Sequence, residues 1–347
     1  MPFPFKSPQP PHQFNLTTEK TRVTKHFTHR DVPKSTSGKL LLATWNIANF
    51  GYPPQGRTDD AVELVAHILG RFDLVAAQEM NDNIGHLLDV MEHLGGGYDY
   101  VMTDTAGNSE RLVFIYRKAR VNPTNLFGEI ALRPVQYPKR TVKVRYREGG
   151  QDKVEKFKDF KFTPFDRNPY IGSFKAGKVT FTLANCHLYF GGFQDSTDPE
   201  ERKKYARRVL EIVALSKWAD GRYNATAAYD KDIVLIGDMN VPAMDPDEST
   251  YKEFVRFGWQ PVQFVTKIGG TNLGNDKTYD QMAFAPDSIQ ALIKDMGVFD
   301  FDKAVFTDLW DSLEATLSKS KAIAQFNRHL KYHLSDHRPL WVQLDVG

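Results

Sequence analysis

Cysteine is almost absent: among 347 residues only Cys186 carries a thiol. A single thiol excludes an intramolecular disulfide and a thiolate metal cluster within one chain. It follows the apolar run Val179-Thr180-Phe181-Thr182-Leu183-Ala184-Asn185, so a small buried core residue is expected there rather than a nucleophile. Long apolar runs are missing too. No stretch reaches the roughly 18 residues that a membrane helix needs, and no membrane span is expected. The opening Met1-Pro2-Phe3-Pro4-Phe5-Lys6 lacks the charged head and continuous apolar segment of a signal peptide, so a cytoplasmic location is the expectation. Excess charge of either sign is small. A formal net charge of +2 neither demands nor forbids a polyanionic partner, because local patches outweigh the sum. There is no internal repeat.

What is present suits a packed fold. Apolar residues make up 41% of the chain and charged residues 25%. Residues 1–38, rich in proline, serine and threonine with no sustained period, read as a flexible N-terminal arm or a strap over the surface. From Lys39 onward a catalytic domain covering residues 39–347 is expected. Leu40-Leu41-Leu42-Ala43-Thr44-Trp45 suits a buried strand, and Leu74-Val75-Ala76-Ala77 a second. Thr58 caps a helix with Val62, Val65 and Leu69 on one face. Ile84, Leu87, Leu88, Met91 and Leu94 define another, stopped at Gly95-Gly96-Gly97. Further strands are expected at 98–103, 111–117, 179–186, 232–237, 280–285 and 339–344. A long amphipathic helix begins near Pro199. Strands alternate with helices early and late around a hairpin-rich middle, which predicts a mixed α/β sandwich.

Six segments share a design in which an apolar strand runs into residues able to bind metal or phosphate. They are Trp45-Asn46-Ile47, Gln78-Glu79, Cys186-His187-Leu188, Gly237-Asp238-Met239-Asn240, Tyr279-Asp280-Gln281 and Ser335-Asp336-His337. Singly, each has a plain reading. Asp-x-Asn after glycine is usually a turn, Glu79 can cap the following helix, and a lone histidine beside apolar neighbours is commonly a satisfied core residue.

Jointly, and in this order, they resemble the endonuclease/exonuclease/phosphatase (deoxyribonuclease I-like) superfamily from about Lys39 to the C-terminus. Ser109-Glu110-Arg111-Leu112-Val113-Phe114, Phe165-Asp166-Arg167-Asn168-Pro169 and Ser335-Asp336-His337-Arg338-Pro339-Leu340 strengthen the resemblance. It implies an α+β, four-layer αββα sandwich of two mixed sheets with the active site at one rim. It further implies that Glu79 holds Mg²⁺ or Mn²⁺, with Asn46 and Asp336 nearby; such ions keep several waters and take only one or two carboxylates. Asp280 and His337 would form a dyad, and His337 or Asp238 would activate the attacking water. Asn240 would orient the phosphate or the nucleophile, and His187 would donate to a phosphate oxygen. Arg111 and Arg167 are candidate phosphate clamps, with surface ion pairs as the plain alternative.

Two positions depart from the family. Ala48 stands where exonuclease III-type enzymes have aspartate, and Asn46-Ile47-Ala48-Asn49-Phe50-Gly51 is closer to the deoxyribonuclease I pattern. Asn168 stands where relatives place a glutamate that pairs with the first histidine, which would leave His187 without that charge.

The resulting expectation is a metal-dependent phosphodiester hydrolase, a nuclease with DNA or RNA as partner, cutting by water attack on phosphorus. No protein partner can be inferred. A phosphomonoesterase or phospholipid phosphodiesterase of the same superfamily is the alternative, although the Pro-x-Trp-Cys-Asp-Arg stretch of inositol phosphatases is missing around Asp280. A non-catalytic binding protein would have lost residues that are all present here. Lys139-Arg140-Thr141-Val142-Lys143-Val144-Arg145-Tyr146-Arg147 predicts a hairpin strand with one cationic face, turning at Glu148-Gly149-Gly150. Its plain reading is a solvated face partly neutralised by Glu148, Asp152, Glu155 and Asp159.

Overall fold

The computed structural model describes residues 5–266 and 268–347; Met1-Pro2-Phe3-Pro4 of the opening segment lies outside the described residues. The strands are β1 (Lys39–Phe50), β2 (Leu74–Asn81), β3 (Tyr98–Met102), β4 (Glu110–Arg117), β5 (Asn122–Glu129), β6 (Lys139–Glu148), β7 (Gln151–Lys161), β8 (Tyr170–Ala176), β9 (Val179–His187), β10 (Ile233–Asp238), β11 (Gln260–Pro261), β12 (Asp280–Phe284), β13 (Ile293–Val298) and β14 (Leu340–Asp345). The helices are α1 (Leu16–His29), α2 (Asp59–Leu69), α3 (Gly85–Leu94), α4 (Pro199–Tyr223), α5 (Ser249–Val255), α6 (Thr307–Thr316) and α7 (Lys319–His333).

One sheet runs β13-β14-β1-β2-β4-β3 and the other β11-β12-β10-β9-β8-β5. Each is mixed, because β1 pairs parallel with β2 and β9 parallel with β10 within otherwise antiparallel ladders. Alternation along β1 explains the layering. Leu40 and Leu42 enter a core that also holds Phe174, Phe181, Leu183 and Ile236 of the second sheet. Leu41, Ala43 and Trp45 point the other way, into a core shared with Val62, Val65 and Phe326 of the helices. A third core joins the far face of the second sheet to Tyr205, Val209 and Ile212 of α4. Three apolar layers separate four structural ones, the αββα sandwich expected.

Local signals fixed several elements as read. Thr58 Oγ1 accepts the Ala61 N–H to start α2, and Asp198 caps α4 with Pro199 in its first turn. Cys186 is buried and its thiol is pushed up by burial, which fits an inert core residue. The predicted hairpin is β6–β7, with Gly149 and Gly150 at positive φ in its turn. Among the described residues five of its nine cations form ion pairs: Lys139 with Asp159, Arg140 with Glu253, Arg145 with Asp247, Arg147 with Asp152 and Lys153 with Glu148.

The N-terminal stretch differs from a featureless arm. Residues 16–29 form α1, capped by Asn15 and burying Val23 and Phe27, with the Phe27 ring stacked on Phe299 at 4.1 Å. Leu16, Val23 and Phe27 are its only apolar residues, so its mean hydropathy is low and docking onto the helical layer supplies the stability.

His12, ahead of α1, packs its ring 5.8 Å from His329 of α7, and His329 stacks on His333 at 6.2 Å. Among the described residues neither ring nitrogen of His329 or His333 has a hydrogen-bond partner. Burial lowers His329 to about 4 and His333 to about 3. Their folded values lie below the ordinary one, so as pH falls from about 6.5 toward 3 the unfolded chain takes up protons first and stability declines. Urea unfolding at pH 7 and pH 5 is expected to show this loss, with a slope of up to about 1.4 kcal/mol per pH unit per histidine. His333→Leu should flatten it; a variant with the wild-type slope would remove the histidines from the explanation.

Candidate active site

Both sheets end at one rim, where a cleft of about 660 Å³ is lined by Glu79, Arg167, His187, Asp238, Asn240, Asp336 and His337, among others. Asn46 and Glu79 leave the parallel pair β1–β2 of the first sheet, His187 and Asp238 the parallel pair β9–β10 of the second. A buried amide network just below holds the sheets in register. Gln78 Nε2 donates to Asn185 Oδ1 (2.7 Å), and Asn185 Nδ2 donates to the carbonyls of Ala77 and Val113. Breaking it would leave buried amides unsatisfied, at about 1–3 kcal/mol each.

Two histidine–carboxylate pairs face each other across Asp238. His337 Nδ1 lies 2.8 Å from Asp280 Oδ2, and His187 Nδ1 lies 2.8 Å from Glu110 Oε2. Each histidine Nε2 stands 3.7 Å from the same oxygen, Asp238 Oδ2. Burial and Arg167 oppose charging of His187, yet Glu110 and Asp238 raise it above its ordinary value. Burial also opposes charging of His337, which Asp280 and Asp238 lift well above the ordinary range. Asp238, despite its burial, is held below the usual carboxylate range by His337 and His187. Two imidazole Nε2 atoms therefore converge on one carboxylate oxygen in surroundings that favour charged rings, an arrangement suited to receiving phosphoryl oxygens.

The partner of His187 corrects the sequence reading. Asn168 does not contact it: Asn168 Nδ2 donates to Glu129 Oε2 (3.1 Å). The charge comes from Glu110, at the start of β4, in the very segment Ser109-Glu110-Arg111 that the sequence singled out for its arginine. Glu110→Gln is expected to lower the His187 pKa, shift the alkaline limb of the pH–rate profile to lower pH and reduce turnover about 10–100-fold. Asn168→Glu should leave that limb in place. Rate profiles and NMR titration of His187 in both variants check the pair.

The arginines separate. Arg167 lines the cleft but is buried, donating to the carbonyls of His187 (3.0 Å) and Leu188 (3.2 Å) and facing Glu110 Oε1 at 3.4 Å. It positions the His187 strand end. Arg111 lies outside the cleft lining and donates to the carbonyls of Asn81 and Asp82, so its place is nearer the ion-pair alternative. Asn240 Nδ2 donates to Leu188 O (2.8 Å), while its N–H donates to Asp238 Oδ1 (3.0 Å).

Glu79 accepts from Asn46 Nδ2 (2.8 Å) and from the Asn49 N–H (2.7 Å); Asn46 Nδ2 also reaches Asp238 Oδ2 at 3.0 Å. Ala48, Asn49, Glu79 and Asn240 all adopt positive φ, strain concentrated at this rim. Arg57, fully buried and lowered by burial to about 9, stabilises the bend by donating to the carbonyls of Ile47, Ala48, Asn49 and Leu334. On the opposite side, Trp45 Nε1 donates to His337 O (2.8 Å), and Arg338 is bidentate to Asp302 at 2.7 and 2.8 Å. Arg57 and Arg338 act through backbone carbonyls and a distant carboxylate, which no local sequence signal marks.

The donor set fits a hard cation. Burial, and then the charge of Glu110, raise the Glu79 carboxyl above its ordinary value. A carboxylate crowded in this way is relieved by a divalent ion. Asp238, Asp280 and His337 form a second group whose ligand atoms lie within 4.8 Å of one another. Its imidazole, held protonated between two carboxylates, is the poorer metal ligand. Asp336 shares the cleft wall, 3.5 Å from Lys331 Nζ. Among the described residues no helix is long and apolar enough to cross a membrane.

A deoxyribonuclease from Thioalkalivibrio sp. (strain K90mix) is 23% identical over 327 residues, covering 90% of this chain and 72% of that protein. An endonuclease/exonuclease/phosphatase family protein from Bacteroides thetaiotaomicron superposes with a TM-score of 0.48 at 17% identity, over 88% of this chain and 94% of that one. The human Nocturnin catalytic domain gives 0.47 at 13% identity, over 89% and 95%. No family model matches the sequence. Six motif segments thus stand at the rim of an αββα sandwich in the order of the endonuclease/exonuclease/phosphatase superfamily, which the chain resembles, and a deoxyribonuclease is similar to it over 90% of this chain.

Proposed function

We propose that this chain is a divalent-metal-dependent phosphodiesterase acting on nucleic acid, with DNA as the first substrate. One observation carries the reading: two histidine–carboxylate pairs point both Nε2 atoms at Asp238 Oδ2, beside Glu79 on a cleft floor. The name of the deoxyribonuclease relative supports the choice of substrate.

In this reading Asp238, ionised between two cations, takes the proton of the attacking water. His187 and His337 donate hydrogen bonds to phosphoryl oxygens as negative charge builds on them. Glu110 and Asp280 orient the two rings and favour their charged forms. Glu79 would hold Mg²⁺ or Mn²⁺ with Asn46 and Asp336 close by, and the ion supplies Lewis-acid neutralisation of phosphoryl charge. Asn46 here turns its amide nitrogen to Glu79 and Asp238, an orientation assigned from hydrogen bonding. Rotating the amide presents its oxygen instead.

The test is a substrate panel with Mg²⁺ or Mn²⁺: plasmid, single-stranded DNA, RNA, abasic duplex, inositol phosphates and sphingomyelin. DNA cleavage abolished by chelator is expected. Hydrolysis of a small phosphate ester alone would overturn the nuclease reading, and full activity in excess chelator would overturn the metal.

A further inference from the structure

Among the described residues the only exposed phenylalanines are Phe190 and Phe193, 49% and 56% accessible, on the loop that leaves the His187 strand end. Their rings meet edge-on at 6.2 Å. Phe190 stands 6.0 Å from the Tyr279 ring, and Tyr279 stands 6.1 Å from the His337 imidazole, so an aromatic row leads from the solvent-facing lip to the catalytic dyad. The loop is held rigidly. Buried Arg208 donates to the carbonyls of Phe190, Gly191, Gly192 and Asn240, and its guanidinium lies 5.3 Å from the Phe190 ring centre. Gly192, at φ +78°, packs so closely on α4 that a Cβ would meet Glu201 O at 2.2 Å. On another part of the cleft lining Phe5 carries the Lys331 ammonium over its ring at 5.5 Å.

Two large apolar rings, fixed in place and left in water beside a phosphodiester site, mark a binding surface. We propose that Phe190 and Phe193, continued by Tyr279, form a stacking platform for unpaired nucleobases flanking the scissile phosphate, making single-stranded nucleic acid the preferred substrate class. This deepens the nuclease reading and rests on it. Bases within a duplex are already stacked on one another and cannot offer their faces to the rings, whereas an unpaired base can. A row of rings needs no sequence readout, because every base has a π-face.

The experiment compares kcat/KM for a short single-stranded oligodeoxynucleotide, its blunt duplex and bis(p-nitrophenyl) phosphate, in wild type and in Phe190→Ala, Phe193→Ala, Phe193→Trp and Phe193→Leu, with thermal unfolding confirming each fold. The alanine variants should raise KM for the single strand about 5- to 100-fold and lower its selectivity over the small diester. Phe193→Trp should retain that selectivity and Phe193→Leu should lose it. An unchanged ratio, equal losses on single strand and duplex, or full rescue by leucine would overturn stacking; the last would point to an apolar acyl ligand instead. Wild type that hydrolyses the small diester but neither form of DNA would remove the nuclease reading and the platform together. Cleaved single strand with unchanged ratios would remove the platform alone.

Discussion

His337→Ala is expected to reduce turnover about 10²–10⁴-fold while the protein remains folded. The imidazole faces Asp280 at 2.8 Å on one side and Asp238 at 3.7 Å on the other, so its loss removes the cation that both carboxylates face. Asp280 is 0% exposed, and burial already pushes its carboxyl above the ordinary range even with His337 present. Besides the imidazole, its carboxyl meets the Thr271 side chain. Asp280→Asn should therefore share most of the defect, because an amide cannot hold the ring charged. The double variant should be little worse than the worse single one, as for members of one catalytic unit. Steady-state kinetics on all three, with thermal unfolding as the control for folding, checks this. Losses that multiply would mean the two side chains act independently.

Glu79→Gln has two expected consequences of opposite sign. Turnover should fall about 10²-fold or more, because the substitution removes the hard anionic oxygen offered to a divalent ion. The metal-free protein, in contrast, should become more stable. Burial and the neighbouring Glu110 raise the Glu79 carboxyl in the folded state. For an acid whose folded value lies above its unfolded one, ionisation opposes folding at every pH above the unfolded value, so at pH 7 the native chain carries that penalty. Glutamine keeps an acceptor for the Asn49 N–H, meets Asn46 with its amide nitrogen once the Asn46 amide rotates, and carries no charge. In chelator the variant's melting temperature should therefore exceed that of wild type. Adding Mg²⁺ or Mn²⁺ should raise the wild-type value through preferential binding to the folded state and leave the variant nearly unmoved. A variant less stable in chelator, with an intact metal response, would place the ion elsewhere in the cleft.

Local chemistry by itself determined much of this protein. Apolar runs ending in Asn46, Glu79, His187, Asp238, Asp280 and His337 specify buried strands with polar ends, and burial forces such residues to a rim. Thr58 and Pro199 start helices through hydrogen bonds and a fixed φ that involve only their neighbours. Those interactions span a few residues, so the sequence displays them. Tertiary structure decided the pairings. Glu110 rather than a residue at position 168 charges His187, because β4 and β9 lie in facing sheets and bring together side chains 77 positions apart. Arg167 became a strut and Arg111 left the cleft because backbone carbonyls, which no sequence pattern advertises, took their guanidinium groups. Helix α1 was illegible for a related reason: Val23 and Phe27 make a weak apolar stripe until Phe299, more than 270 residues later in the chain, completes their surface. The exposed rings of Phe190 and Phe193 belong to the same class. Accessibility is a property of what the fold leaves uncovered, and a phenylalanine in a sequence carries no mark of whether anything will pack against it.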